Sequence, residues 1–213
     1  MAYLPAIFGL VGVVVGGVIT AIVQFILMSR RISADVALAK QKFDFELKAT
    51  NLKRKQDLAE EVLAGFFEFR EIMHFLRSPM SYNHEGKTRE KEDGESPNVS
   101  KAKDTHFVLL ERREKHREKL ADFFSKEYRM VAWFGNEAAA PFQDCNTILA
   151  EATAAASMLV RLAGQHGVEN ELLNNLQAKV WWTDEAADAM IQRINNAIAN
   201  IETICRPILN EPQ

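Results

Sequence analysis

From Met1 to Ser29 the chain contains no charged side chain, and no later stretch of that length is uncharged. Cysteine, proline and glycine are also scarce, with two, six and ten residues among 213. The two cysteines have no second cysteine or histidine pair at ligand spacing, so neither a disulfide framework nor a zinc site is predicted. We expect Cys145 and Cys205 to be small buried residues in a reducing compartment. Runs of β-branched residues are absent after residue 32, which argues against strands.

The rest of the composition is typical of an all-α protein. Hydrophobic residues make up 47% of the chain, and 13 of its residues are Phe. From Leu58 onward, apolar side chains recur at three- and four-residue steps, as on the buried face of a bundle helix. These positions are Leu58, Val62, Phe66, Phe69, Met73 and Leu76. We therefore predict a transmembrane helix (1–29), a stalk helix (30–57) and an antiparallel four-helix-type cytoplasmic bundle (58–213).

The apolar window from Leu4 to Met28 predicts the membrane span. It is slightly longer than the roughly 20 residues that a helix needs to cross a bilayer. A cleaved signal peptide is the alternative, but that segment would begin with basic residues and have a shorter apolar core. Arg30, Arg31, Lys40 and Lys42 follow the window closely, whereas no basic side chain precedes it. The basic-side rule therefore predicts an outside N-terminus and places the C-terminal bulk of the chain in the cytoplasm.

Charge is unevenly distributed over the remainder. Residues 30–57 carry eight basic and four acidic residues, and residues 136–213 carry four basic and ten acidic residues. The basic end would lie beside anionic headgroups, so the lipid bilayer is a predicted partner. No basic stripe resembles a nucleic-acid footprint, and nucleic acid is not an expected partner.

Small residues line one side of the predicted span. Gly9, Gly12, Gly16 and Thr20 fall within an arc of about 80° at 100° per residue, and Gln24 lies beside it. In lipid, close backbone packing and interhelical hydrogen bonds drive association, so this groove predicts self-association. A simple anchor is the alternative, because glycine is common in spanning helices.

The stalk carries two narrow apolar columns on nearly opposite sides. We name them the Leu38 column (Leu38, Phe45 and Leu52) and the Val36 column (Val36, Phe43 and Leu47). A helix with two opposed columns can contact two neighbours, so these columns predict a coiled-coil ring or higher homo-oligomer rather than a dimer. In a ring, Gln24 and Thr20 would be the polar side chains able to face a pore. A plain interhelical hydrogen bond from Gln24, without a pore, is the alternative.

The cytoplasmic part is predicted to begin with a long helix that ends at Ser78-Pro79. An exposed, mobile loop is predicted for 78–104, followed by a helix from Thr105 to Phe134 with the charged run RREKHREK (112–119) facing solvent. Further helices are predicted at 137–165, at 170–180 and from a cap at Thr183 or Asp184 to Cys205.

One spacing raises the question of catalysis. Arg161 and His166 form an R-x4-H spacing at a helix end, and Arg77 with His84, at R-x6-H, is a second match to the wider R-x4-6-H pattern. The first resembles the motif of HEPN ribonucleases, α-helical bundles whose Arg and His act on a scissile phosphate across a dimer. The alternative is a plain helix end at which His166 interacts with the last carbonyls.

Neither a metal nor a cofactor is predicted. His84, His106 and His116 lack paired carboxylates or cysteines at ligand spacing, and no glycine-rich phosphate loop is present.

The layout as a whole resembles small bacterial single-pass membrane proteins with a cytoplasmic HEPN-like bundle, among them membrane accessory proteins of RNA-targeting CRISPR systems. The resemblance covers the architecture and the Arg161/His166 spacing, and it implies a pore-forming or membrane-perturbing role in antiviral defence. Our first hypothesis is a non-enzymatic assembly protein whose bundle receives a protein partner. The alternative is a membrane-tethered ribonuclease that uses Arg161 and His166.

Overall fold

The computed structural model describes residues 4–165, 167–182, 184 and 187–212, with the backbone alone for residues 4–15, 18 and 21. Every regular element in these ranges is helical, which confirms the all-α prediction. The α-helices are α1 (Leu4–Leu76), α2 (Pro97–Lys115), α3 (Arg117–Phe134), α4 (Ala140–Leu162), α5 (Asn170–Val180) and α6 (Ala189–Leu209). A short 3-10 helix, Asn136–Ala139, joins α3 to α4.

The chain divides into two compact units, residues 1–53 and residues 54–213. The boundary lies a few residues before the predicted end of the stalk at 57. Gln56 already belongs to the second unit, because its amide donates to the carbonyls of Ile208 and Glu211 at 3.0 and 2.8 Å. Leu58 and Ala59 are buried in the core of that unit.

Within the described part of the chain, no helix has a stretch both long enough and apolar enough to cross a membrane. Much of the predicted span, residues 4–15 with Val18 and Ala21, has side chains outside the described residues. The span from Leu4 to Met28 therefore stays a prediction.

The second unit is a helical bundle with one continuous apolar core. Side chains from all six helices contribute, and Phe66, Phe123 and Phe142 form its aromatic centre with ring centroids 4.8 to 5.2 Å apart. The buried positions predicted on α1 are confirmed. Gly65 lets α1 and α3 approach closely, because a Cβ there would lie 3.2 Å from the Phe123 ring.

Ion pairs and hydrogen bonds give the helix directions. Glu61 of α1 pairs with Lys126 and Arg129 of α3, and Glu68 pairs with Lys119, so α1 and α3 run antiparallel. Gln56 bonds the end of α6, whereas Arg77, just after α1, pairs with Asp188 at the start of α6. Helix α6 therefore also runs antiparallel to this part of α1. The antiparallel bundle prediction is supported here.

The second half of the bundle is built around α4, which packs against α2, α5 and α6. Gly164, just beyond the end of α4, meets the first turn of α2, where a Cβ would lie 2.7 Å from a methyl group of Val99. Gly164 also has a φ of 88°, a conformation that favours glycine.

Several predicted boundaries are wrong. The loop predicted for 78–104 ends at residue 96, because Ser96 caps α2 and Pro97 occupies its first turn. The single helix predicted from Thr105 to Phe134 is two helices that meet at His116.

At the other end of the bundle, α4 begins at Ala140 after a 3-10 turn and ends at Leu162, which is shorter than the predicted 137–165. The last helix is capped by Asp188 rather than Thr183 or Asp184, and it continues past Pro207 to Leu209. Thr183 lies outside the described residues. The helix predicted at 170–180 is confirmed.

Candidate functional site

The small-residue side of the predicted span is open in the described residues. A Cβ at Gly16 or Gly17 would meet nothing within 4 Å. Thr20 bonds within its own helix, since its hydroxyl donates to the carbonyl of Gly16 at 2.8 Å. The remaining two residues of the predicted groove, Gly9 and Gly12, lie where the structure describes the backbone alone.

Gln24 differs from Thr20 in its hydrogen bonding. Among the described residues, nothing accepts from or donates to its side-chain amide, and the side chain is exposed. Transfer of an unpaired amide into an apolar environment costs roughly 2 kcal/mol or more. In lipid, this side chain would therefore gain from a partner supplied by another helix.

The stalk columns lie on an uninterrupted stretch of α1 with their large side chains exposed. Phe45 of the Leu38 column is 71% exposed, and Phe43 of the Val36 column is 64% exposed. Val36, Leu38 and Leu47 are also exposed, and Leu52 is half-buried. Exposed apolar side chains that recur in columns of this kind favour an interaction site or a membrane-facing surface.

One relationship among these residues was not part of the sequence-based prediction. The Leu38 column continues toward the N-terminus at seven-residue steps without a break in the helix. We call the full set the heptad line: Gly17, Gln24, Arg31, Leu38, Phe45 and Leu52. The unpaired Gln24 thus lies in line with the exposed apolar side chains of the stalk. Polar residues at such positions fix the register of associating helices.

Of the Arg161/His166 pair, only Arg161 belongs to the described residues. Arg161 is exposed in the last turn of α4, where its backbone carbonyl accepts from the side-chain amide of Gln165 at 3.0 Å. His166 lies outside the described residues. The structure therefore does not test the ribonuclease motif.

The second match to that motif, Arg77 with His84, does not have a free guanidinium. Arg77 is 1% exposed and pairs with both oxygens of Asp188 at 2.8 and 2.7 Å. It also donates to the carbonyls of Lys179 and Ala178. With these four bonds Arg77 ties the end of α1 to α5 and α6, and it has little capacity left for a phosphate.

Asp188 closes the same network from the other side. Its carboxylate accepts from the backbone amides of Met190 and Ile191, so it caps α6 while it pairs with Arg77. Burial by itself raises the pKa of Asp188, but Arg77 and the two amides outweigh burial and lower it. Trp182 completes the corner, because its indole donates to the carbonyl of His74 and its ring stacks on that imidazole.

Arg112 forms a second buried network at the same end of α1. The sequence places Arg112 in a charged run expected to face solvent, but its side chain is 1% exposed. Its guanidinium pairs with Glu85 at 3.0 and 2.7 Å and donates to the carbonyls of Phe75, Ser78 and Met80. The hydrogen bonds from Arg112 lower the pKa of Glu85 to about 2, against an opposing effect of burial.

Further polar contacts hold the loop from 78 to 96 against α2. Glu111 accepts from the amide of Gly86 at 2.7 Å and from the hydroxyl of Thr88 at 3.1 Å. Arg89 pairs with Glu95 and with Asp104. The predicted exposed loop therefore contains a buried polar framework, which its composition did not indicate.

A cleft of about 670 Å³ lies between α4, α5 and α6. Its charged groups are largely paired: Glu151 contacts Arg193 at 3.0 Å and Lys179 at 3.8 Å, and Asp188 pairs with Arg77. Charges that neutralise one another in this way are typical of a structural ion-pair network.

Neither thiol is an activated nucleophile. Burial raises the pKa of Cys145 to about 12 and that of Cys205 to about 11. Across the described ranges, no cluster of three His, Cys, Asp or Glu residues could hold a metal ion.

Comparison with protein-family models finds no matching family, and comparisons with curated proteins and with solved structures find no significant match.

Proposed function

We propose that this chain is a non-enzymatic, membrane-anchored assembly protein. In this proposal residues 4–28 span a bacterial inner membrane, α1 self-associates along its span and stalk, and the bundle lies in the cytoplasm and receives a protein partner. The observation that carries the proposal is the exposed apolar surface of α1 between residues 19 and 47. Phe25 is 74% exposed, and large apolar side chains continue along the helix to Leu47.

That surface needs both lipid and a second copy of the chain. Lipid covers apolar side chains in the span, but it cannot satisfy the amide of Gln24 or cover the stalk beyond the headgroups. A parallel neighbour supplies both, because identical residues of the heptad line then lie at the same height. An interhelical hydrogen bond from Gln24 is worth about 1 kcal/mol.

Cysteine substitutions distinguish the possible assemblies. In a two-fold dimer the Leu38 column meets itself, so L38C alone gives a disulfide-linked dimer in oxidised membranes. In a ring the Leu38 column of one copy meets the Val36 column of the next. In that case L38C and V36C stay monomeric singly, and the double variant gives a ladder of multimers.

Ala37→Cys is the matched control, since residue 37 lies on neither column at about 100° per residue. The native Cys145 and Cys205 are buried and have raised pKa values, so they form a low background. If A37C cross-links as efficiently as the column variants, or if none cross-links, the proposed assembly does not form.

A pore-forming effector is a second form of the proposal, and the unpaired amide of Gln24 favours it. A ring that lines a pore with Gln24 depolarises the membrane, and Q24L abolishes the response of a membrane-potential dye. Thr20→Val is the control, because the Thr20 hydroxyl bonds to its own helix. The resemblance to membrane accessory proteins of CRISPR systems suggests that the trigger is phage infection. Unchanged potential during infection contradicts the pore.

The ribonuclease alternative stays a prediction. It requires Arg161 and His166 to act together on RNA, so R161A and H166A must each abolish RNA cleavage and any growth phenotype. Intact function in both variants excludes it.

A further inference from the structure

A second pocket lies between the loop and the start of α2. We call it the loop pocket; its volume is about 590 Å³, and residues 81–91 and the first turns of α2 line it. None of the residues considered for the assembly of α1 belongs to it.

The charges that line the loop pocket do not balance. Lys87, Lys91 and Lys101 contribute to its wall, and none of the three forms an ion pair with a residue that the structure describes. Two carboxylates also line it, but each has a basic partner: Glu85 pairs with Arg112 at 2.7 Å, and Asp104 with Arg89 at 3.2 Å. The lining thus carries three lysines against two carboxylates, and the lysines have no ion-pair partner among the described residues.

An unsatisfied hydroxyl lies in the same wall. The Oγ atom of Ser100 is buried and has no hydrogen-bond partner among the described residues. Leaving a buried hydroxyl unpaired costs about 1 kcal/mol or more, so rotation of the Ser100 side chain toward a ligand that accepts from it recovers this free energy. Ser100 lies in the first turn of α2, where the positive end of the helix dipole also favours an anion.

The loop that carries Lys87 and Lys91 is held in place before any ligand arrives. Glu85 and Arg89 on either side of Lys87 are buried in ion pairs, and the amide of Gly86 donates to Glu111. Gly86 has a φ of 78°, and a Cβ there would lie 2.0 Å from the carbonyl oxygen of Asp104. The backbone of the loop thus rests directly on α2. A ligand need not order this backbone, and that lowers the cost of binding.

We propose that the loop pocket binds a small anion that carries two or more phosphate groups. Phosphate oxygens accept from ammonium and hydroxyl donors, and a condensed phosphate chain can contact Lys87, Lys91 and Lys101 together. The phenol ring of Tyr82 is 70% exposed and belongs to the same wall, where it can cover an attached organic group. This site gives the bundle a small-molecule input, independently of the assembly of α1.

Titration calorimetry on the full chain in detergent tests the proposal, with inorganic tripolyphosphate as the probe. At about 150 mM salt, where long-range attraction is screened, we expect saturable binding with one site per chain. Lys87→Gln with Lys91→Gln and Lys101→Gln weakens it by about tenfold or more. Ser100→Ala weakens it about threefold, because the unpaired hydroxyl is lost.

Lys40→Gln with Lys42→Gln and Lys48→Gln is the matched control, since it also removes three positive charges, here from the exposed stalk helix. The control keeps the affinity of the unaltered chain, and circular dichroism verifies that the pocket variant is folded. A parallel titration with adenosine triphosphate shows whether the site prefers a free phosphate chain or a nucleotide. Binding of adenosine triphosphate that is as tight as that of tripolyphosphate, or tighter, supports the site. Absence of saturable tripolyphosphate binding, or equal affinities in the pocket and control variants, overturns the proposal, and neither result depends on whether α1 cross-links.

Discussion

Arg77 and Asp188 lie 111 residues apart in the chain and meet in a two-point ion pair that is almost completely buried. The pair joins the end of α1 to the start of α6, and further bonds from Arg77 reach the last turn of α5. One guanidinium thus fixes the relative positions of three helices.

Replacement of Asp188 by Asn is expected to destabilise the bundle strongly. Asparagine can still cap α6, so the main loss is the charge partner of Arg77. A buried charge left without its partner costs about 3 to 5 kcal/mol, and the free energy of unfolding should fall by about that amount. Urea unfolding followed by tryptophan fluorescence measures it. E202Q is the control, because it breaks the exposed Arg206 pair, and it should change stability by less than about 1 kcal/mol.

The pair of Arg112 and Glu85 predicts acid sensitivity. The pKa of Glu85 falls from 4.5 to about 2 in the folded chain, so its stabilising contribution is complete above about pH 4.5 and is lost as the pH falls toward 2. E85Q lacks this contribution and should be less stable at neutral pH. The difference between the two chains should shrink as the pH falls below 4.5. Urea unfolding at several pH values measures it, and a constant difference contradicts the assignment.

Two glycines of the loop should respond differently to alanine. Both have a positive φ, 78° at Gly86 and 81° at Gly94, so either substitution costs about 1 to 2 kcal/mol of backbone strain. Only Gly86 also meets a carbonyl oxygen, whereas a Cβ at Gly94 would meet nothing within 4 Å. We expect G86A to detach the loop and speed tryptic cleavage after Lys87, and G94A to change it little. Equal cleavage rates in the two variants contradict the close contact.

The native thiols should resist labelling. Cys145 and Cys205 are buried, with pKa values raised to about 12 and 11. A disulfide reagent attacks the thiolate, so near pH 8 the folded chain should react only as fast as it opens. When the chain is unfolded in guanidinium, both cysteines should react at once and release two equivalents of the reagent's thiol leaving group. Rapid labelling of the folded chain would show that one of the two helices is loosely packed.

The periodic parts of this chain could be predicted from its sequence. Apolar steps of three and four identify the buried face of α1 from Leu58 to Leu76, because one face of one helix decides burial there. The bounds of α5 were also predictable, since glycine precedes it and two tryptophans follow.

The polar parts could not be predicted, because their burial depends on distant partners. In the run from Arg112 to Lys119, the sequence does not distinguish Arg112 from its neighbours. Arg112 is buried because the loop that carries Glu85 folds back against α2 and pairs with it. Ser96-Pro97 is a recognisable start for α2, but the surrounding charges favoured a loop. Asp188 and Asp184 are equivalent caps by sequence, and the structure pairs Asp188 with the distant Arg77.

The guanidinium of Arg112 pairs with Glu85, which lies in the wall of the loop pocket. The same guanidinium donates to the carbonyl of Phe75 in the last turn of α1. One planar cation therefore holds the wall of the loop pocket and the last turn of α1 in register, and loss of Arg112 would release each from the other.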